Sequence, residues 1–70
     1  MVEKLNTQQI KDIIAANIRR RNITVHELSQ LSGVSTFEIR EIINGQLLPD
    51  LDTLRKLSKA LDIPLTELIV

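Results

Sequence analysis

The sequence predicts an all-α fold, five short helices in one domain, and three observations carry that expectation. Apolar residues recur at helical spacing through most of the chain, and no stretch alternates with period two for long enough to suggest a strand. Phe37 is the single aromatic residue, so the core must be built from isoleucine, leucine, valine and alanine. Only two glycines and two prolines punctuate the pattern, and they fall where one helix would give way to the next.

Taken in order, residues 1–6 read as a flexible arm and residues 7–70 as the domain. A first helix capped by Asn6 or Thr7 runs to Arg21, with Ile10, Ile14 and Ile18 on one stripe and Ile13 beside it. Asn22 is suited to the left-handed conformation that ends a helix, and Ile23 can pack as a staple before the next cap. Thr24 and Glu27 have capping-box spacing and open a second helix over 25–32. Gly33 can take the positive φ of a tight turn. Ser35 and Glu38 repeat the box and open a third helix over 36–43, which Asn44-Gly45 closes. Leu28, Leu31, Val34, Ile39 and Ile42 form the expected seam between these two helices. Two capped helices around a glycine turn make a helix-turn-helix. Pro49 forces an extended connection, and Asp50 caps a fourth helix over 51–61 with Leu51, Leu54, Leu57 and Leu61 at helical spacing. Asp62-Ile63-Pro64 breaks it, and Leu65 to Val70 is expected to form a last short turn that returns Leu68 to the core.

Composition narrows the function. Seventy residues make one small domain, near the lower limit for a self-sufficient core. Without cysteine, and with His26 as the lone histidine, no disulfide, metal or cofactor site is expected. No apolar run approaches the roughly 20 residues of a membrane span, so a cytoplasmic domain with no membrane contact is expected. The serines have no nucleophile–base arrangement and the domain has no room for a sizeable pocket, so no catalytic residue is assigned and an enzyme is not expected. Nine basic and nine acidic side chains cancel, which leaves the local distribution of charge to decide what this surface meets.

From Ile10 to Leu68 the chain resembles the Cro and phage-repressor type of helix-turn-helix domain, the XRE family. The residues that carry the resemblance are Thr24, Glu27-Leu28, Gly33-Val34-Ser35, Ile39, Asn44-Gly45, Pro49, Leu51, Thr53-Leu54, Lys56-Leu57, Lys59-Ala60-Leu61 and Leu65 through Leu68. It implies a lambda-repressor-like bundle that binds double-stranded operator DNA as a homodimer, with the third helix in the major groove. On that reading Thr36, Phe37, Arg40 and Glu41 face base edges, Arg40 suited to guanine and Phe37 to a thymine methyl. Phosphates would be met by Thr24, Val25 and Ser35, by Asn44 and Gln46 in the loop after the third helix, and by Arg19, Arg20 and Arg21. Unpaired backbone N–H groups at the start of the second helix and in that loop would assist. The C-terminal residues Ile63, Leu65, Ile69 and Val70 are the expected dimer surface, unless some of them close the core instead.

Several positions depart from the family pattern. Val25 stands where relatives commonly carry a phosphate-binding glutamine. Ile18 and Ile43 stand where many relatives pair an arginine with a glutamate, and the two isoleucines are expected to touch. Arg40 can alternatively pair with Glu38 or Glu41, and Phe37 can be a partly buried packing residue. Glu41 sits awkwardly before phosphate, and Val25, Phe37, Leu47 and Leu48 make an apolar face. A second class therefore stays open, a helix-turn-helix used as a protein-interaction module such as an antirepressor or co-regulator. The arginines, Thr24 and the intact turn favour DNA; neutral charge and the apolar face favour protein.

Overall fold

Three helices of this chain begin at a side-chain oxygen that accepts an otherwise orphaned backbone N–H, and that local chemistry fixes where each one starts. The computed structural model describes residues 7–68. Among them are α1 (Thr7–Arg21), α2 (Val25–Ser32), α3 (Thr36–Ile43), α4 (Leu51–Leu61) and a single 3₁₀ turn (Leu65–Glu67), with no strand. Thr24 Oγ1 accepts from Glu27 N at 3.0 Å while the Thr24 amide donates to Glu27 Oε1 at 2.8 Å, a closed capping box. Ser35 Oγ accepts from Glu38 N at 3.1 Å and Asp50 Oδ1 from Thr53 N at 2.8 Å. The box expected at Ser35 is only half made: the Glu38 carboxylate does not return a bond to the Ser35 amide. The expected arm, residues 1–6, lies outside the described residues, as do Ile69 and Val70.

The helix ends are equally local. Asn22 (φ 55) and Asp62 (φ 57) both take the left-handed conformation, which asparagine and aspartate tolerate better than other side-chain-bearing residues. Each is followed by an isoleucine whose N–H reaches back five residues, Ile23 to Ile18 O at 3.2 Å and Ile63 to Ser58 O at 3.0 Å. This is the Schellman closure, and it turns each isoleucine back against the bundle. Gly33 ends α2 at φ 80, its N–H donating to Ser29 O at 2.8 Å.

The core is aliphatic: Ile10 and Ile14 from α1, Leu28 from α2, Val34 from the turn, Ile39 and Ile42 from α3, Leu54, Leu57 and Leu61 from α4, then Ile63 and Leu68. α2 packs on both α3 and α4, α1 packs on α3, and the 3₁₀ turn packs on α4. Full burial of each such side chain is worth about 1.5–3 kcal/mol, so hydrophobic burial here is spread evenly rather than vested in one large residue. Ile18 and Ile43 are both half-buried against this core, on helices that touch.

Three expectations are corrected, and one leucine of the α4 series lies off the core. Leu31 is not in the seam but 65% exposed. On a helix Val25 and Leu31 flank Leu28 by about 60° on opposite sides, and the core takes the Val25 side. On α1, Asn17 rather than Ile18 completes the buried stripe. It lies seven residues from Ile10, almost in line, whereas Ile18 has drifted about 80° and is half-buried. Leu51 is 47% exposed, because it is the first residue of α4 and its side chain leans toward the helix N-terminus, past the packed turns. The fifth helix is one 3₁₀ turn, entered from Pro64 without a side-chain cap.

Replacing Leu28 by Ala should cost about 2–5 kcal/mol in urea denaturation, while Leu31→Ala should change stability by less than about 0.5 kcal/mol. A second expectation concerns acid. The Asp50 carboxyl lies below its usual value of 3.8, chiefly because it accepts the Thr53 backbone N–H, then through the Thr53 side chain, with Lys56 a lesser influence. Because the folded value is depressed, this stabilisation is present above pH 3.8 and is lost as pH falls through the folded value. Asn at this position keeps the cap but not the charge. The melting temperature of Asp50→Asn should therefore sit below wild type near neutrality, with the gap closing below pH 3.8.

Candidate nucleic-acid interface

α3 exposes one face because the other is spoken for. Ile39 and Ile42 are buried beneath it, so Phe37, Arg40 and Glu41 project away from the core with Thr36 at the margin. Phe37 is 70% exposed, and among the described residues it lies outside the core cluster. Arg40 is exposed and forms no ion pair among the described residues. The alternative of a pair with Glu41 or Glu38 fails for a geometric reason: residues one or two apart on a helix do not face each other. Glu38 and Glu41, three apart, are neighbours of like charge, and both are half-buried. The face thus offers a free guanidinium, an aromatic ring and a carboxylate within two turns.

The expected phosphate contacts fare differently from one another. At α2, the amides of Val25 and His26 have no acceptor among the described residues, and the positive end of the helix points the same way. Thr24 is exposed, and its hydroxyl hydrogen remains free to donate while its oxygen accepts from Glu27. Ser35 holds the same position at α3. Val25 brings only its backbone, since its side chain is half-buried against the core.

From Asn44 to Leu47 the loop after α3 does not offer the free amides expected of it. Asn44 N donates to Arg40 O at 2.9 Å, Gly45 N to Ile42 O at 3.1 Å, and Gln46 N and Leu47 N both to Glu41 O at 2.8 and 3.2 Å. Asn44 and Gln46 are exposed and can contribute side chains only. Gly45, at φ 76, makes the turn that these bonds close.

Of the three arginines ending α1, two are engaged. Arg20 donates through Nη2 to Asn17 Oδ1, and Asn17 Nδ2 donates to Ile13 O at 2.9 Å. The second bond fixes the amide so that its oxygen faces Arg20, and the buried Asn17 is fully satisfied. Arg21 lies 4.0 Å from Asp62, an exposed pair joining the ends of α1 and α4 and worth little energetically. Arg19 has no partner among the described residues.

Two further expectations need revision. Ile63 is buried and Leu65 half-buried against the core, so Ile63 closes the bundle instead of presenting a dimer surface. Val25 and Leu47 are likewise half-buried, which reduces the anticipated apolar face to Phe37 and Leu48. The structure also brings Lys11 of α1 to this loop, its Cδ 3.5 Å from where a Cβ on Gly45 would sit. No sequence signal joins two positions so far apart. Among the described residues no helix is long and apolar enough to cross a membrane, and no group of three His, Cys, Asp or Glu is placed to hold a metal.

A family model described as helix-turn-helix matches residues 14–68, most of the chain and all of the elements that build this face. No curated protein and no solved structure matched in the corresponding searches. The match begins within α1 and ends on the buried Leu68, so it spans α2, the glycine turn and α3 without interruption. The chain belongs to the Cro/C1-type helix-turn-helix family of DNA-binding domains.

Proposed function

We propose that this protein is a sequence-specific transcriptional regulator of the Cro/repressor type, binding a two-fold symmetric operator as a dimer with α3 in the major groove. The observation that supports it most directly is the outward face of α3, where Arg40 has no ion-pair partner among the described residues and Phe37 is mostly exposed. Arg40 reads guanine through paired hydrogen bonds to O6 and N7, Phe37 packs on a thymine methyl, and Glu41 accepts from a cytosine amine. Thr36 adds a hydroxyl at the helix start. Thr24, Ser35 and the amides of Val25 and His26 hold phosphates at the two helix N-termini. Asn44 and Gln46 add side-chain contacts, and Arg19 and Arg20 extend the contact at the end of α1. Dimerisation multiplies contacts that are too few on one near-neutral domain. Its surface is the C-terminal end, Leu65 with Ile69 and Val70.

A second reading is favoured by one feature: an exposed phenylalanine at the centre of a face on a chain with no net charge. There the same helix docks on protein through Phe37 and Leu48.

Selection from pooled random duplex DNA across a salt series separates the two. The expected result is an enriched inverted repeat whose binding weakens steeply as salt rises. Arg40→Ala should then relax preference at one base pair per half-site, at a cost of about 1–3 kcal/mol, while Gln46→Ala should weaken all sequences alike. No enrichment, with binding at background even in low salt, would remove the DNA reading and leave Phe37→Ser as the probe of a protein contact.

A further inference from the structure

The connection between α3 and α4 runs past the face proposed to meet DNA, yet from Asn44 to Asp50 it contains no lysine or arginine. Its amides from Asn44 to Leu47 are consumed within the chain. From Asn44 to Leu47, neither a free N–H nor a positive charge in the loop's own sequence is available to a phosphate. Lys11 alters that. Its Cδ lies 3.5 Å from the point a Cβ on Gly45 would occupy, so the lysine stem lies along the bare glycine backbone. Only Cε and the ammonium extend beyond Cδ, which delivers the charge to this turn. The side chain is half-buried, and no carboxylate pairs with it among the described residues. Its neighbour Asp12 instead accepts from Gln8 Nε2 at 3.4 Å.

We propose that Lys11 is a phosphate-binding residue of the DNA interface, anchoring the duplex backbone at the Asn44–Gln46 turn; this rests on the DNA-binding reading above. A lysine ammonium is a compact point charge, well matched to a phosphodiester approached without directional demand. Gly45 contributes its positive φ of 76, which makes the turn beside which the Lys11 stem lies. The charge comes from α1 and the polar side chains from the loop, so the site exists only once α1 has docked on α3.

The test uses the full chain and two duplexes, one selected for binding and one unrelated, each titrated across a salt series. For Lys11→Gln the slope of log affinity against log salt should become shallower by about 0.9 per bound chain. Both duplexes should weaken alike, with base preference unchanged, and Lys11→Arg should retain the wild-type slope. An ammonium at the C-terminal end of α3 would also favour that helix's dipole, so melting temperature is measured in parallel. A lower melting temperature with an unchanged slope would assign Lys11 to that structural role and overturn the proposal. Wild-type binding with equal slopes in both proteins would overturn it for Lys11 alone. Failure of the wild type to bind either duplex at low salt would remove the DNA reading and this proposal with it.

Discussion

Between α2 and α3 there are three residues, and each is committed to a different task. Gly33 takes φ 80, a conformation that an L side chain adopts only at a cost of about 1–2 kcal/mol. Val34 is buried, and its N–H donates to Ser32 Oγ at 3.1 Å. Ser35 caps α3. Because the turn is this short and fully specified, the direction of α3 relative to α2 is fixed, and so is the side of α3 left outside. Burial of Ile39 and Ile42 on one side then makes exposure of Phe37 and Arg40 on the other a geometric consequence. A longer or looser turn would leave the same residues on a helix with no defined heading.

The molecule satisfies its backbone locally, and this limits how it can meet an anion. Helix starts are capped by Thr24, Ser35 and Asp50, and helix ends by left-handed residues with returning N–H bonds. The loop after α3 goes further, with two successive amides sharing Glu41 O. What remains for phosphate is the first turn of each helix and a few side chains. On a chain with no net charge the number of free cations near α3 therefore matters more than the total. Arg21 faces Asp62 and Arg20 is held by Asn17, leaving Arg40, Arg19 and Lys11 without carboxylate partners among the described residues.

Buried polarity is confined to places where it is paid in hydrogen bonds. Asn17 sits where the periodicity of α1 would put an isoleucine, and both ends of its amide are used. Ser58, buried on α4, donates to Arg55 O at 2.9 Å. Neither leaves an unmet group in the core, where one would cost about 1–3 kcal/mol.

The sequence by itself determined the helices. Caps, left-handed terminators and prolines act within a few residues of their own position, which is why α2, α3 and α4 begin and end where Thr24, Gly33, Ser35, Asp50 and Asp62 say they must. It also determined which residues lie on the outer face of α3, since that follows from helical spacing once Ile39 and Ile42 are known to be core. Tertiary structure decided the rest. Whether Val25 or Leu31 would be covered depended on which side of α2 its neighbours took, and both positions are equally apolar in the sequence. Ile63 was spent on the core because the Schellman turn at Asp62 aimed it there. Lys11 reached Gly45 only because α1 packs across α3. Local hydrogen bonds fix an element's limits from its own residues, but coverage and proximity are properties of pairs of elements, and those the chain acquires only by folding.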